Sequence, residues 1–218
     1  MNRKEIKESA KLKIKENKWN IIWPMLIIGV IGTIVSRIFG GTINIDLNSL
    51  RDLESFSSIN ITPVQYGGSI ISSLVIGLLS AGYLKYILNF ARTGKFDTND
   101  IIDTIKKRWV HILIAEILAS IIIGACFFLF VIPGIIMTLA YTFVTYLVID
   151  TDVNGNDALK ESREMMKGYK WDYFVFGLSF LGWILLVPFT FGILLIWLYP
   201  YMTVANAIYY DKLKNTKK

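Results

Sequence analysis

The chain has one cysteine, Cys126, and one histidine, His111, among its 218 residues. A single cysteine cannot form a disulfide within the chain, and a single histidine cannot complete a Cys/His zinc site. Three serines considered as nucleophiles, Ser120, Ser162 and Ser179, have no histidine at comparable depth to activate them. We therefore predict a protein that is not an enzyme, with no catalytic residue, no metal and no cofactor.

Charged residues are also scarce, at 18% of the chain against 54% hydrophobic residues, which is too apolar for a soluble domain of this length. A hydrocarbon core about 30 Å thick needs about 20 apolar residues in a helix. The sequence contains six stretches of about that length, at residues 20–39, 68–91, 109–132, 134–150, 172–188 and 191–210. The predicted fold is all-α: a single integral membrane domain over residues 1–218, with six transmembrane helices arranged as three hairpins.

The basic residues lie almost entirely on one side of this predicted bundle. They cluster in residues 3–18, 85–108, 160–170 and 212–218, whereas only Arg37 and Arg51 fall on the other side. The positive-inside rule then places both termini in the cytoplasm and residues 40–67 in an extracellular loop. A net charge of +6 can also indicate nucleic-acid binding, but no soluble basic domain is present to bind it, so we predict no nucleic-acid partner.

Three polar segments with helical periodicity precede the odd-numbered spans, at residues 2–17, 98–108 and 156–167. The first, within a predicted cytoplasmic helix over residues 1–19, places Ile6, Ala10 and Ile14 on one stripe. The third places five residues on a stripe before Gly168, namely Ala158, Leu159, Ser162, Met165 and Met166. Because basic residues flank these segments and tryptophans follow them, we predict amphipathic helices in the cytoplasmic headgroup layer. The alternative is solvated loops that happen to be helical.

The same order of elements recurs in residues 1–92, 96–151 and 156–212, each containing a polar helix and two spans. This order indicates a tandem repeat of three units, although side-chain identity between the units is weak. Ordinary hairpin-by-hairpin membrane topology is the alternative.

Two ionisable residues, Lys85 and Glu116, lie deep within predicted spans, where a charge costs about 2.5–3.5 kcal/mol on insertion scales. Lys85 shares a four-residue spacing with Ala81 and Gly77, and Glu116 shares one with Ser120. Small-residue faces are where membrane helices approach closely, so we predict that spans two and three pack there with Lys85 and Glu116 paired. Three interpretations stay open: a structural lock, a proton- or cation-responsive site in a water-filled cavity, and a snorkelling Lys85 beside a protonated Glu116.

Uncharged polar residues lie along the fourth and sixth spans, those of the fourth at helical spacing. These candidates for lining an intramembrane cavity are Thr138, Thr142, Thr145 and Asn206. Hydroxyl groups within a membrane helix can instead bond to the backbone of their own helix.

Several short motifs together carry a family resemblance. They are Asn2-Arg3-Lys4-Glu5-Ile6-Lys7, Phe130-Val131-Ile132-Pro133-Gly134-Ile135-Ile136, Asp150, Ala158-Leu159-Lys160-Glu161-Ser162-Arg163-Glu164-Met165-Met166-Lys167-Gly168, Trp171, Leu178-Ser179-Phe180-Leu181-Gly182-Trp183, Thr190-Phe191-Gly192-Ile193, Trp197, Pro200-Tyr201 and Tyr209-Tyr210. The sequence resembles the domain-of-unknown-function 975 family, uncharacterised integral membrane proteins of mostly Gram-positive bacteria. The resemblance implies a plasma-membrane location and brings no activity or catalytic residue with it.

Within these motifs, Arg163, Lys167 and Trp171 form a candidate site for anionic lipid headgroups at the inner leaflet. A plain solvated helix face is the alternative. We expect membrane lipids as partners, with a protein partner or a second copy of the chain in addition. The leading hypothesis is a scaffold, accessory or regulatory subunit. The alternative is a small transporter or lipid-handling protein with a polar cavity near Glu116 and Lys85.

Overall fold

A computed structural model describes residues 2–39, 63–151 and 153–217, which form helices joined by short turns. The α-helices are α1 Arg3–Glu16, α2 Lys18–Phe39, α3 Pro63–Thr93, α4 Asn99–Leu129, α5 Val131–Tyr141, α6 Val144–Asp150, α7 Gly155–Met165, α8 Lys170–Leu178, α9 Leu181–Leu186 and α10 Ile193–Thr216, with a 3₁₀ turn at Pro188–Thr190. No strand occurs in these ranges. The all-α prediction is confirmed.

Six helical segments are long and apolar enough to cross a membrane, as the sequence predicted. They are Lys18–Phe39, Gly68–Thr93, Asn99–Leu129, Val131–Asp150, Lys170–Thr190 and Ile193–Thr216. The even-numbered segments are the inner ones, with 33%, 44% and 56% of their apolar windows buried, against 17%, 11% and 11% for the odd-numbered segments. Spans two, four and six therefore form the core of the bundle, and spans one, three and five surround it.

The core lies towards one end of the bundle, where α3, α6 and α10 finish and α1 and α7 pack against them. We call this the basic end. The predicted stripe of α1 is fully buried there, with Ile6, Ala10 and Ile14 packed into the core as α1 lies against α10. The predicted stripe of α7 is buried too, against α4 and α6. Both apolar stripes thus pack against other helices of the protein. The position of α1 and α7 in a headgroup layer stays a prediction.

The second predicted amphipathic segment is not a separate helix, because α4 runs without interruption from Asn99 to Leu129. Its first turn lies against α3: a Cβ added to Gly82 would come within 2.8 Å of Ile101 Cγ2. Each polar segment therefore contacts the inner helix of the unit before it, and α1 contacts α10 of the third unit. A cyclic order of this kind is expected from three repeated units, but the repeat itself stays a prediction.

Two predicted spans differ from single helices. The fourth is divided into α5 and α6 at Thr142 and Phe143, where the Thr142 hydroxyl bonds to the carbonyl of Thr138 at 3.0 Å. The fifth is divided into α8 and α9 at Ser179 and Phe180. Phe143 and Phe180 are both fully buried among aromatic rings of α8 and α10, so packing of these rings takes priority over helix continuity.

The turns at the other end are as short as predicted, although their boundaries differ. The break between α4 and α5 falls at the extended residue Phe130, so Pro133 and Gly134 lie inside the first turn of α5. Gly134 is required there because an added Cβ would lie 2.5 Å from Phe127 Cγ. The backbone of α3 begins at Pro63, before the predicted residue 68. The rest of the predicted extracellular loop, residues 40–62, lies outside the described residues.

Candidate functional site: an ion network at the basic end and a lone carboxyl in the bundle

The three inner helices meet at the basic end through a network of charged side chains. Arg92 of α3 donates to both carboxylate oxygens of Asp150 of α6, with 2.9 Å between Nη2 and Oδ2. The same guanidinium donates to Asp211 of α10, with 2.9 Å from Nε to Oδ1 and 2.5 Å from Nη2 to Oδ1. Asp150 also accepts from Lys214 Nζ at 2.5 Å and from the Tyr210 hydroxyl at 3.0 Å, both on its Oδ2. One arginine thus holds two carboxylates from two other helices.

Asp150 is the centre of this network, since its side chain is only 4% exposed whereas Arg92 is 32% exposed. A buried carboxylate is stable only when its charge and its lone pairs are satisfied. Arg92 of α3 and the α10 residues Lys214 and Tyr210 are the partners that satisfy Asp150. Removing α3 or α6 would leave an unpaired charge on the helices that stay, so the network links spans two, four and six.

The predicted pair of Lys85 and Glu116 does not form an ion pair in the described part of the chain. Spans two and three do pack at the predicted small-residue face, because the Glu116 carboxyl lies directly over Gly77 of α3. Lys85 follows Gly77 by eight residues, about 12 Å along the helix axis.

The predicted polar stripe does not gather around a common cavity. Thr138 and Thr142 donate to their own helix, to the carbonyls of Gly134 at 2.9 Å and of Thr138 at 3.0 Å. Asn206 of α10 accepts a hydrogen bond from the Tyr173 hydroxyl of α8 at 3.1 Å, which ties the fifth span to the sixth. Thr145 is half-buried on α6. The backbone-bonding alternative therefore describes Thr138 and Thr142.

The headgroup candidates lie on the outside of the basic end. Arg163 and Lys167 are exposed on and just after α7, and Trp171 is 74% exposed at the start of α8. Ser162, on the predicted stripe of α7, points inward: it is fully buried and donates to the Ala140 carbonyl at 2.8 Å. The outward residues are placed where they could meet a lipid headgroup, and that role stays a prediction.

An N-terminal lysine reinforces the break in the fifth span. Lys7 Nζ of α1 donates to the carbonyl of Ser179 at 2.9 Å and lies 4.2 Å from the centre of the Phe180 ring. Trp183 N–H bonds to the Phe180 carbonyl at 3.0 Å, one residue short of the α-helical partner at Ser179. The ammonium thus satisfies a carbonyl at the helix break, although burial lowers the pKa of Lys7.

A cleft of about 270 Å³ lies between spans one, two and six. Its lining is largely apolar and consists of Met25, Ile28, Gly29, Ser80, Tyr83, Leu195 and Tyr199. Lys85 and Glu116 are not part of it. No group of three His, Cys, Asp or Glu side chains able to hold a metal ion occurs within residues 2–39, 63–151 and 153–217.

The family model described as "Protein of unknown function (DUF975)" matches residues 1–140 and 122–217. The chain belongs to this family. No curated protein and no solved structure matches the chain. The resemblance stated from the motifs is therefore confirmed, and both stretches that match DUF975 contain parts of the network: Arg92 lies in the first, Asp150 and Asp211 in the second.

Sequence reasoning did not find the ion network of this DUF975 protein. Arg92 and Asp150 are 58 residues apart, and Arg92 and Asp211 are 119 residues apart. The available signal was positional, because each of these residues closes an even-numbered apolar stretch on the same predicted side of the membrane. Opposite charges at the matching ends of three spans predict contact when those spans are neighbours.

Proposed function

We propose that this DUF975 protein is a non-enzymatic scaffold, accessory or regulatory subunit of the plasma membrane, with both termini in the cytoplasm. The supporting observation is how its polar side chains are used. Arg92, Asp150 and Asp211 join the inner helices, and Tyr173 with Asn206 joins the fifth span to the sixth. These groups hold the bundle together, which is what a rigid platform for other membrane components needs.

The orientation follows from the charge distribution. Lysines and arginines of α1, α7 and the end of α10 collect at the basic end, and the positive-inside rule directs such an end to the cytoplasm. The same charges favour anionic lipid headgroups as partners. Exposed aromatic residues at the start of the odd-numbered spans, namely Trp19, Trp23, Trp109 and Trp171, fit the aromatic belt of a bilayer interface.

Orientation is tested by placing single cysteines in the Cys126→Ala protein and labelling intact cells with a membrane-impermeant maleimide. A cysteine at Lys217 should be protected until the cells are opened, whereas one at Ser49, in the predicted extracellular loop, should react at once. Labelling of position 217 in sealed cells would refute the orientation.

The role is tested by affinity purification of the full chain in mild detergent, with identification of the proteins and lipids that co-purify. We expect a reproducible membrane-protein partner or a homo-oligomer. Asp150→Asn, which weakens the network, should reduce recovery of that partner. The exposed variant Asp103→Asn is the matched control and should not. A protein that purifies alone and moves solute across liposome membranes would overturn the proposal.

The second candidate is a lipid-handling protein, and the apolar cleft is the observation that favours it. The cleft is lined by apolar side chains from three spans, which suits an acyl chain better than a polar solute. Gly29→Leu would fill it, because an added Cβ at Gly29 meets no atom within 4 Å. Gly124→Leu is the control, since Gly124 is equally open but lies outside the cleft. Lipid transfer between vesicles that falls in Gly29→Leu and not in Gly124→Leu would support this function. Equal transfer by the two variants would refute it.

A further inference from the structure

The carboxyl of Glu116 occupies a space that the sequence leaves for it. Glu116 lies on α4, the third span, and its Oε2 fills the position where a side chain at Gly77 would begin. Any larger residue at Gly77 would collide with the carboxyl. Gly77 of α3 thus leaves the space that the Glu116 side chain of α4 fills.

This carboxyl has no partner among residues 2–39, 63–151 and 153–217. No hydrogen bond or ion pair reaches it there, and its residue is half-buried between α3 and the outer surface of the bundle. It lies eight residues past Arg108, about 12 Å along the helix axis into the third span. The outer surface at this depth faces lipid chains, which cannot solvate a charge.

The charged and titratable groups on the helices around Glu116 do not compensate it. On α3, Lys85 lies about two turns beyond Gly77. On α6, Asp150 is held by Arg92 and Lys214, and on α7, Asp157 pairs with Lys160 at 3.5 Å. Tyr141 of α5 and Tyr146 of α6 make no hydrogen bond to the carboxyl, and neither does His111, which is about 140° away around α4.

An ionised carboxylate without a partner is very unfavourable in a hydrocarbon environment, and such groups become neutral instead. A metal ion would not remedy this, because Na⁺ or a divalent cation needs several oxygen ligands and the described structure brings one carboxyl here. A proton needs only one carboxyl oxygen to bind, and this site supplies it. The carboxylic acid then carries no net charge and packs against the bare backbone at Gly77.

We propose that Glu116 is a proton-binding site within the membrane, where the acid is held in its protonated form against Gly77 at neutral pH. This inference is independent of the scaffold proposal, because a scaffold and a protein of another function can each carry a protonated acid or lack one. It requires only that α3 and α4 pack as described.

The probe is dicyclohexylcarbodiimide, an apolar reagent that enters membranes and reacts with protonated carboxyl groups. The acid O–H adds across one C=N bond: the carboxyl oxygen bonds to the central carbon and the proton goes to nitrogen. The acyl group then moves from oxygen to nitrogen, which gives a stable N-acylurea on Glu116. No further reactant takes part. Peptide mass spectrometry of the full chain, labelled in its native membrane, locates the product.

We expect labelling of Glu116 that persists from about pH 5 to about pH 8, whereas a glutamate in water is ionised above about pH 5 and loses reactivity over that range. Glu116→Gln should lose the label. Gly77→Ala should reduce it severalfold, because the new Cβ displaces the carboxyl. Gly124→Ala, at an open position on the same helix, should label as the wild type does.

Two results would overturn the proposal. One is recovery of the Glu116 peptide unmodified at every pH. The other is efficient modification by a water-soluble carbodiimide with loss of reactivity above about pH 5, which would show a hydrated carboxylate. Because both are read on the wild-type chain, a variant that folds poorly does not affect the decision.

Discussion

Replacing Asp150 by Asn should weaken the bundle more than any other single removal of a carboxylate from its basic end. The substitution keeps the size of the side chain and removes its charge, which leaves the Lys214 ammonium without its only ion partner in the network. Arg92 keeps Asp211. Breaking a buried ion pair costs about 3–5 kcal/mol. Because Arg92 and Lys214 are partly exposed, at 32% and 23%, we expect the low end, about 3 kcal/mol.

Two further variants set the scale for this value. Asp211→Asn removes a carboxylate that is 23% exposed and that only Arg92 binds within the network, so we expect about 1 kcal/mol. Asp103→Asn removes one that is 57% exposed and pairs with Lys107 one turn away, so we expect at most about 0.5 kcal/mol. The measurement is the free energy of unfolding of the purified protein in mild detergent, titrated with a denaturing detergent.

The order of the three losses in unfolding free energy tests whether the network holds the inner helices together. If Asp150→Asn costs no more than Asp103→Asn, the network does not hold the inner helices together. A replacement of both Arg92 and Asp150 by Leu should cost less than the sum of the two single losses, because Lys214 and Asp211, three residues apart on α10, are then left to pair with each other. A double variant as damaging as the sum of two single losses would contradict this reasoning.

The remaining predictions concern single contacts. Gly77→Ala should destabilise the protein by about 1 kcal/mol through overpacking against Glu116. The same change should be harmless in a Glu116→Ala background, as measured by unfolding of the wild type, the two single variants and the double variant. Equal effects in both backgrounds would exclude the contact. Ser162→Ala should cost about 1 kcal/mol because the buried hydroxyl donates to a backbone carbonyl, whereas loss of its exposed neighbour in Arg163→Ala should change unfolding little. Lys7 has a lower pKa in the folded than in the unfolded chain, so the unfolded chain binds more protons and the contribution of Lys7 to stability should improve as pH rises towards 10.5. A wild-type melting temperature that falls relative to that of Lys7→Met over this range would contradict the sign.

Patterns within one segment predicted local structure well. The spacing of Ile6, Ala10 and Ile14 indicated a helix with one apolar face, and that face is fully buried. Gly168, which follows the third stripe in the sequence, lies just past α7, and its φ of +88° is one that glycine adopts readily. These features depend on residues close together in the chain, so periodicity and backbone preference are sufficient to find them.

Relations between segments were harder to predict, because spacing identifies a face of a helix but not its level against a neighbour. The small-residue faces of α3 and α4 do pack, yet Glu116 meets Gly77 rather than Lys85. The sequence predicted the stripe of α1 but not the surface that covers it, which is α10, near the far end of the sequence. Which apolar surface covers a stripe depends on how the spans assemble, and composition alone does not contain that information.

The contact between α1 and α10 also has a consequence for biogenesis. The ribosome makes α1 before α10, so the surface that covers Ile6, Ala10 and Ile14 emerges only when the sixth span has been made. Until then the nascent chain carries α1 without this cover. A chain cut short before α10 would keep that helix uncovered, which gives proteases and chaperones a means to distinguish unfinished copies from complete ones.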